Sequence, residues 1–435
     1  MHRKREIGGR CLTSESWDYR PLAELTENFD FKRVPVKGAD RRPGPYPYYG
    51  ASGVVDHVDG YLFEGEYLLI AEDGENLRTR TTPIAFTAKG RFWVNNHAHI
   101  VRGNDLANTQ FLMYALAKID ISGYLTGSTM PKLTQGHMNR IPILAPSRDE
   151  QDKIVAILGS LDDKIDLNRR MNETLEAMAG ALFRSWFVDF DPVRAKQEGR
   201  QPPGLDAATA ALFPDSFDDS PLGSIPRGWQ VKEFAEIVDV IDCLHTRKPD
   251  RSASGLPLLQ LWNIRDDGLL DMAETYFIDK DAYKLWTSRI EASLGDCVIT
   301  NVGRVGAVAQ IPAEMKAALG RNMTGIRCKS SFSFPTFLIQ CLLSDALREE
   351  IERNKDTGTI LDALNVRNIP RLRFTKPTSS LLKQFEQVVR PLRAKMEQNL
   401  QESQTLAALR DALLPKLLSG ELRVRSEEPT VEAVS

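Results

Sequence analysis

Cysteine is scarce and long apolar runs are missing, which excludes several classes of protein at the outset. The five cysteines among 435 residues form neither a Cys-x-x-Cys pair nor a Cys/His cluster. This pattern argues against a disulfide framework and a zinc site, and it predicts a reducing compartment. No apolar run approaches the roughly 18 residues of a membrane span, and the N-terminus lacks a signal-type apolar core. We therefore expect a cytoplasmic protein without bound metal.

A surplus of positive charge is also missing. The 56 lysines and arginines face 59 aspartates and glutamates, which gives a net charge of −3. Proteins whose affinity depends on neutralising phosphates usually carry a basic surplus. Composition therefore does not predict a nucleic-acid partner. Any nucleic-acid surface must be a local patch, or partner subunits must supply much of the charge.

The strongest positive signal is an internal repeat. Residues 167–187 align with residues 398–418 at a constant offset of 231 without a gap, so that Asn168 corresponds to Asn399. Both segments carry a 3-4 spacing over more than four heptads, which is typical of paired coiled-coil helices about 50 Å long. Arg410 is the one clear exception to this pattern, because it places a charged residue at a seam position. Two unrelated amphipathic helices, each covering its own domain, are the alternative. The predicted seam positions are Ile154, Leu158, Leu161, Ile165, Asn168, Asn172, Leu175, Ala179, Leu182 and Trp186, and, in the second copy, Phe385, Val389, Leu392, Met396, Asn399, Ser403, Leu406, Arg410, Leu413 and Leu417.

Each long helix follows a domain with short β-rich runs and short helical patterns. The predicted strands lie within residues 61–71, 83–94, 256–262 and 296–310, and the predicted helices within residues 108–117 and 335–347. We predict an α+β fold in which two mixed α/β domains alternate with two long spacer helices that pair as an antiparallel coiled coil, with an internal pseudo-two-fold repeat. The expected segments are residues 1–150 (first domain), 151–188 (central helix), 189–226 (an irregular Pro/Gly-rich connector), 227–380 (second domain), 381–422 (C-terminal helix) and 423–435 (a disordered tail).

Several motifs resemble those of specificity subunits of Type I restriction–modification systems. Residues 47–53, with the sequence PYYGASG, are similar to the Tyr-Tyr-Gly-Ala-Ser-Gly loop of that family. Residues 127–134, with the sequence GSTMPKLT, are similar to the closing loop of its target-recognition domains. The resemblance extends over residues 17–422. The second half lacks a copy of the first motif, and its closing loop at residues 358–360 is shorter, which predicts two different half-sites.

The resemblance implies a sequence-specific DNA-binding subunit with no chemistry and no catalytic residue of its own. In such systems the subunit recognises a bipartite asymmetric site in double-stranded DNA. It docks two adenine-N6 methyltransferase subunits and two ATP-dependent restriction subunits, which translocate and cut DNA. S-adenosylmethionine, ATP and Mg²⁺ would be used by those partners, and no cofactor is expected in this chain. The sequence agrees, since it has no Asn-Pro-Pro-Tyr motif, Gly-rich cofactor turn or phosphate loop.

Polar and aromatic residues of predicted loops are the candidate DNA contacts in the first domain. Lys132 suits a phosphate contact and Gln135 suits base-edge recognition. Tyr48 either stacks on DNA or caps the domain core. His97 and His99 we interpret as surface or core residues rather than contacts. The candidates are Tyr48, Tyr49, Ser52, Asn96, Thr129, Lys132 and Gln135.

The second domain has a basic run and several glycine-flanked arginines. Arginine there can reach guanine edges or phosphates, and the alternative for each residue is a solvated charge. The candidates are His245, Arg247, Lys248, Asn263, Arg265, Arg304 and Asn322. In the helices, Asn168 and Asn399 are predicted to fix the register of the coiled coil. The alternative is that both are exposed on a wrongly phased seam.

Two other functions compete with this interpretation. A metal-dependent nuclease could carry its active site in a recognition-type domain, although the carboxylates and lysines of residues 296–316 have unconvincing spacing. Incubation of the purified chain with Mg²⁺ and plasmid DNA discriminates this case. A scaffold whose domains no longer recognise DNA is the other alternative, which selection from a random oligonucleotide pool discriminates.

Overall fold

The computed structural model describes residues 17–356 and 362–424. They form two compact units, one made of residues 17–164 and 406–424 and the other of residues 165–405. Both units mix helices and strands, as the α+β prediction requires. The predicted closing loop at residues 358–360, and all but the first two residues of the predicted tail, lie outside the described residues.

The first unit contains a large sheet, a short strand pair and short helices. Its described strands are β1 (Asp18–Pro21), β2 (Thr26–Asn28), β3 (Pro43–Gly50), β4 (Gly53–Val58), β5 (Phe63–Ala71), β6 (Ala85–Val94), β7 (Ala98–Gly103) and β8 (Pro142–Ala145). Its described helices are α1 (Leu22–Leu25), α2 (Asn76–Thr79), α3 (Thr109–Lys118), α4 (Gln135–Met138) and the first part of α5 (Arg148–Phe187).

The large sheet has the strand order β2-β7-β5-β6-β3-β4, and β1 pairs with β8 just before α5. Neighbouring strands are antiparallel except for β3 and β6, which are parallel. Successive residues of β5 face opposite sides of the sheet. Leu68 and Ile70 join the core beneath α3, and Tyr67 and Leu69 join an aromatic core that includes Phe92. Both faces of the central strand are therefore buried.

The second unit holds the remaining strands and helices. Its described strands are β9 (Phe217–Ser220), β10 (Gly223–Pro226), β11 (Gln230–Glu233), β12 (Val238–Asp242), β13 (Leu256–Leu259), β14 (Phe277–Ile278), β15 (Cys297–Thr300), β16 (Val308–Gln310), β17 (Ala318–Leu319), β18 (Met323–Cys328) and β19 (Arg373–Lys376). Its described helices are α6 (Asp191–Gln197), α7 (Ala207–Ala211), α8 (Lys280–Trp286), α9 (Pro335–Leu343), α10 (Asp345–Asn354) and α11 (Ser379–Leu418), of which the last turns lie in the first unit.

The second unit repeats the frame of the first. Its four-stranded sheet has the order β12-β18-β15-β16, which corresponds to β2-β7-β5-β6, and β11 pairs with β19 just before α11 as β1 pairs with β8 before α5. The predicted repeat is confirmed. The additions differ, since the first sheet continues into β3 and β4 whereas the second unit has a separate sheet of β14, β13 and β17.

The connector at residues 189–226 is folded, contrary to the expectation of an irregular segment. It contains α6, α7 and a hairpin of β9 and β10. Phe190, Phe213 and Ile225 are buried in the main core of the second unit together with Trp186. Proline and glycine predicted breaks between elements, but apolar residues spaced between them were enough to build a small packed layer.

The two long helices are equal in length and antiparallel. Each has 40 residues, and both ends of α11 lie 231 positions after those of α5. In the first unit Asp162 contacts Arg410, and in the second unit Asn172 contacts Met396. Residue numbers on α11 therefore fall as those on α5 rise, which confirms the antiparallel pairing.

The predicted 3-4 seam is buried or half-buried at every position of both helices. Arg410, the breach in the pattern, is half-buried and paired. Its guanidinium lies 2.7 Å from one carboxylate oxygen of Asp162, and the other oxygen accepts a 2.6 Å hydrogen bond from the Tyr114 hydroxyl. A compensated ion pair thus replaces an apolar contact at this point of the seam.

Candidate nucleic-acid interface

The PYYGASG segment forms a hairpin rather than an open loop. β3 continues to Gly50, and a turn of Ala51 and Ser52 leads to Gly53, which pairs with Gly50. Gly53 has a φ of 122°, a conformation that residues with a Cβ rarely adopt. Ser52 is exposed at the tip of the hairpin.

The two tyrosines of this segment contribute mainly to the core. Tyr48 is fully buried, its hydroxyl accepts a 3.0 Å hydrogen bond from the Val36 N–H, and the Arg41 guanidinium lies 4.3 Å from its ring centroid. The predicted DNA contact of Tyr48 is therefore wrong, because no part of the side chain reaches the surface. Tyr49 is half-buried, with its ring centroid 5.6 Å from that of Phe92.

The turn between β6 and β7 lies beside this hairpin. The Asn95 N–H donates a 3.0 Å hydrogen bond to the Tyr49 carbonyl, and Asn96 next to it is exposed. His97 is exposed as well, and its Nδ1 lies 2.8 Å from the Asp73 carboxylate. The hairpin and the turn therefore present Ser52 and Asn96 from neighbouring segments.

The closing loop, residues 127–134, converges on the same region. Thr129, Lys132 and Gln135 are exposed, with Gln135 as the first residue of α4. The backbone of Lys132 forms an isolated antiparallel bridge with Asp73, the residue that also pairs with His97. The structure thus brings five of the seven first-domain candidates to connected surface segments, although it does not test whether they contact DNA.

A buried cluster of charged residues lies behind the closing loop. This Asp30 cluster consists of Asp30, Arg33, Glu72, His99 and Lys132. The Asp30 carboxylate lies 2.6 Å from His99 Nδ1 and 3.5 Å from the Arg33 guanidinium. Glu72 pairs with Arg33 at 2.8 Å and with Lys132 at 3.2 Å. Nε2 of His99 lies 2.8 Å from the carbonyl oxygen of Leu133 in the closing loop.

The charges of the cluster are mutually compensating. Burial raises the pKa of Asp30, but the hydrogen bond and charge of His99 and the Ile100 N–H outweigh it and leave the pKa below its usual value. Burial likewise raises the pKa of Glu72, and Arg33, His99 and Lys132 bring it below its usual value. The His99 ring links Asp30 to the closing loop, since Nδ1 faces the Asp30 carboxylate and Nε2 faces the Leu133 carbonyl oxygen of that loop. The cluster therefore positions the closing loop through ionised groups.

In the second unit a basic loop follows β12. His245 and Arg247 are exposed in this loop. The Lys248 ammonium lies 3.9 Å from the ring centroid of Tyr276. Asn322 occupies the turn before β18 with a φ of 65°, and it borders a cavity of about 180 Å³ together with Lys248. The structure thus brings Lys248 and Asn322 together.

Three residues at the start of this loop have the chemistry of metal ligands. The ligand-type atoms of Asp242, Cys243 and His245 lie within 4.8 Å of one another. Asp242 already pairs with His245 at 2.8 Å, and the Arg289 guanidinium lies 3.8 Å from the same carboxylate. Burial raises the pKa of the Cys243 thiol, which disfavours the thiolate that metals bind. A guanidinium beside protonated sulfur opposes the binding of a cation here.

Asn263 is a structural residue. It is 1% exposed, its amide donates a 2.7 Å hydrogen bond to the Asp271 carbonyl, and its side-chain oxygen accepts one of 2.8 Å from the Gln260 N–H. The predicted DNA contact of Asn263 is wrong, because these bonds hold a short 3-10 helix at residues 261–263 and leave the side chain enclosed.

Arg265 and Arg304 lie apart from the basic loop. Arg265 pairs with Asp267 at 2.8 Å, and Arg304 pairs with Asp266. Both line a cavity of about 490 Å³ whose other lining residues include Asn168 of α5 and residues of α11. The structure thus groups these two arginines with the helices of the second unit, and a DNA contact by either one stays a prediction.

The two seam asparagines are buried, at 1% and 0% exposure, which excludes the exposed alternative. The Asn168 amide nitrogen lies 3.3 Å from the carbonyl oxygen of Asn399 and donates a 2.9 Å hydrogen bond to the Glu402 carboxylate. The Asn399 amide donates a 2.9 Å hydrogen bond to the side-chain oxygen of Asn172. These bonds join named residues of opposite helices, as a register-fixing role would require.

Comparison with known proteins shows which proteins this chain is similar to. Residues 14–177 match the family model described as the Type I restriction modification DNA specificity domain. The sequence is 26% identical to the Type I restriction enzyme MjaIX specificity subunit of Methanocaldococcus jannaschii, covering 94% of each chain. The chain carries a Type I restriction–modification specificity domain, and it is similar to specificity subunits along nearly its whole length. It is also 24% identical to the HindI specificity subunit of Haemophilus influenzae, covering 82% of this chain and 84% of that one.

The fold of this chain is similar to that of a solved specificity subunit. The crystal structure of the specificity subunit from M. genitalium superposes with a TM-score of 0.61 at 15% identity, covering 94% of this chain and 97% of that one. Among the described residues, no helix is both long and apolar enough to cross a membrane.

Sequence reasoning missed the residues that support the candidate contacts of this chain. Asp30, Arg33 and Glu72 were not identified, because their partners lie 39 to 69 positions away along the chain. Trp262, which is 55% exposed beside Lys248, was also missed. A tryptophan flanked by asparagine and leucine gives no local signal that separates a surface ring from a core ring.

Proposed function

We propose that this specificity subunit recognises a bipartite, asymmetric site in double-stranded DNA, one half-site for each mixed domain. The observation that carries the proposal is a duplicated frame with unlike additions. The two four-stranded sheets share one strand order, whereas the β3–β4 hairpin and the β14-β13-β17 sheet have no counterparts in each other's unit. The shared strand order supports the same role, DNA recognition, for both domains, and loops of different shape suit two different half-sites. We expect half-sites roughly one DNA turn, about 10 bp, apart.

The residues proposed at the interface are the exposed or half-exposed candidates. In the first domain they surround the β3–β4 hairpin and the closing loop, and in the second they surround the basic loop. They are Tyr49, Ser52, Asn96, Thr129, Lys132, Gln135, His245, Arg247, Lys248 and Asn322. Arg265 and Arg304 are secondary candidates, since they line a cavity with residues of the long helices and lie apart from the basic loop.

We further propose that chemistry is supplied by partners. Two adenine methyltransferase subunits would dock mainly on α5 and α11, because a duplicated helix–domain unit offers two similar surfaces. Two restriction subunits would join that complex, and S-adenosylmethionine, ATP and Mg²⁺ would bind to these partners in the cytoplasm. Native mass spectrometry of the reconstituted complex tests the stoichiometry. Saturation at one methyltransferase per chain would contradict it.

The test of DNA recognition is sequence selection by the chain in complex with its methyltransferase. Lys132→Ala should weaken binding to every sequence and reduce the salt dependence by about one unit, because a phosphate contact is lost. Gln135→Ala should relax preference at one base, with about 1–3 kcal/mol less discrimination there. Arg247→Ala, as a control in the other domain, should leave the first half-site unchanged. A Gln135→Ala profile altered only in the second half-site would overturn the assignment.

The same preparations address the alternatives. The purified chain with Mg²⁺ and plasmid DNA should leave the plasmid intact, whereas a nuclease would nick or cut it. A scaffold that no longer recognises DNA would enrich no sequence from the pool.

A further inference from the structure

Trp262 is a large apolar side chain that is 55% exposed yet held in one orientation. Its indole N–H donates a 3.0 Å hydrogen bond to the Glu274 carbonyl. The Lys248 ammonium lies 5.2 Å from its ring centroid. An exposed ring gains little from the hydrophobic effect, so one that is fixed in place is typical of a surface that a ligand covers.

Among the described residues, the two cations that line a cavity with this ring, Lys248 and Arg321, lack acidic partners, whereas Arg251, farther along the basic loop, lies 3.9 Å from the Glu274 carboxylate. In residues 17–356 and 362–424, no carboxylate oxygen lies within 4.0 Å of a side-chain nitrogen of Arg247, Lys248 or Arg321. Arg265 and Arg304 in the same unit are by contrast both paired. Burial, and after it the charge of Arg251, lowers the pKa of Lys248. Uncompensated cations beside an exposed aromatic ring favour a nucleic acid as the ligand.

A cavity of about 180 Å³ lies between these groups, lined by Lys248, Trp262, Arg321 and Asn322 among others. The wall of this cavity that contains Gly320 is tightly packed. A Cβ on Gly320 would lie 2.2 Å from the Leu259 carbonyl oxygen, so the turn that carries Arg321 and Asn322 packs directly on β13. The cavity therefore combines an aromatic wall, a side-chain amide and two cations in a ring-sized space.

We propose that Trp262 stacks on one base of the second half-site after that base has left the helical stack, and that this cavity receives the base. The inference rests on the proposed function and adds a specificity-determining residue to it. Inside a regular duplex only base edges are accessible, so a tryptophan face can stack on a base only where the base stack opens. The cavity beside Trp262 favours a displaced base over a wedge between base pairs, because it offers space for the base. Lys248 and Arg321 would hold the flanking phosphates, and Asn322 would face an edge of the displaced base.

The experiment measures binding of the methyltransferase complex to duplexes that carry the selected site. Trp262→Ala should weaken binding about 5- to 150-fold, the range of one base–aromatic stack, with an unchanged salt slope. Trp262→Phe keeps a ring and should retain most of the affinity. Leu294→Ala, which removes another exposed apolar side chain of the same unit, is the matched control and should bind like the wild type. Arg321→Ala should instead lower the salt slope by about one unit.

A mismatch scan then locates the base. Because a mismatch removes the cost of unpairing, it should tighten wild-type binding at one position of the second half-site other than the methylated adenine, which the methyltransferase itself displaces, and at no such position of the first. The same mismatch should give Trp262→Ala no advantage. The inference is overturned if Trp262→Ala binds like Leu294→Ala, if no mismatch tightens binding, or if Trp262→Ala loses the methyltransferase while its DNA contacts stay intact. A wild-type complex that selects no sequence would overturn the proposed function and the inference with it.

Discussion

Replacement of Asp30 by Asn should destabilise the first unit far more than an ordinary surface substitution. Asn keeps the size of the side chain but removes a charge that is 8% exposed and lies 2.6 Å from His99, itself 2% exposed. The amide would also face the Ile100 N–H, which now donates a 2.8 Å hydrogen bond to the carboxylate. Removal of one partner from a buried pair costs about 3–5 kcal/mol. A loss of about 3 kcal/mol lowers the melting temperature of a unit of this size by about 6–12 °C.

Two measurements check this prediction, with Asp40→Asn as the matched control because Asp40 is exposed in the same domain. Thermal unfolding gives the overall loss of stability. Hydrogen exchange read by mass spectrometry locates it, and amides of β7 and of the closing loop should exchange faster in Asp30→Asn, since His99 links Asp30 to Leu133.

The pH dependence gives an independent check. The pKa of folded Asp30 is lowered, so its ionised form stabilises the folded unit at neutral pH. This contribution is complete above the unfolded value, near 4, and is lost as the pH falls through the lower folded value. The difference in stability between wild type and Asp30→Asn should therefore shrink as the pH falls below about 4. If Asp30→Asn melted like Asp40→Asn at pH 7, the cluster would not position the loop as argued.

Three further predictions follow from the fold. Asn399→Ala should cost about 1–3 kcal/mol in urea unfolding because it leaves the Asn172 side-chain oxygen without its 2.9 Å donor, and adding Asn172→Ala should cost less than the sum of the two single changes. Additive costs would show that the two amides do not interact. Tyr48→Phe should lower stability by about 1 kcal/mol through the lost Val36 hydrogen bond, yet leave the selected DNA sequence unchanged; an altered first half-site would restore Tyr48 as a contact. Matched insertion of seven residues into α5 and α11 should lengthen the unrecognised DNA between the two half-sites by about three base pairs, at 1.5 Å per helical residue and 3.4 Å per base pair. Insertion into one helix alone should disrupt the pairing of the helices. An unchanged gap after matched insertion would mean that the helices do not set it.

The parts of the fold that follow from local periodicity could be predicted from the sequence. The 3-4 spacing from Ile154 to Trp186 repeats at an offset of 231, and the helices of the structure repeat at that same offset. The predicted strands within residues 61–71 and 83–94 correspond to β5 and β6. Such patterns are set by neighbours along the chain. The predicted helix at residues 335–347 was less accurate, because Ser344 ends α9 and caps α10.

The errors arose where tertiary contacts decide the environment of a residue. Tyr48 was placed in a loop, but β3 extends past it and pairs in parallel with β6, which turns the side chain into the core. Asn263 was chosen as a polar residue next to an arginine, but its amide closes a backbone turn with Gln260. In both cases a residue predicted to lie at the surface is buried by a tertiary contact, which the sheet makes for Tyr48 and the turn makes for Asn263. The polar character of a residue does not by itself show whether its side chain contacts DNA or caps a backbone turn.

The net charge of −3 no longer weighs against DNA binding once individual pairs are considered. On α5, Arg169 pairs with Asp166 and Glu173, and Arg170 pairs with Asp166, so these two cations and two carboxylates leave that part of the helix locally neutral. Among the described residues, Arg247, Lys248 and Arg321 of the second mixed domain have no carboxylate within 4.0 Å, and they lie in or near one cavity wall. A phosphate responds to the charges within about one Debye length, roughly 8 Å at physiological salt, rather than to the total of the chain. A slightly acidic protein can therefore present a basic surface wherever its acids are already engaged elsewhere.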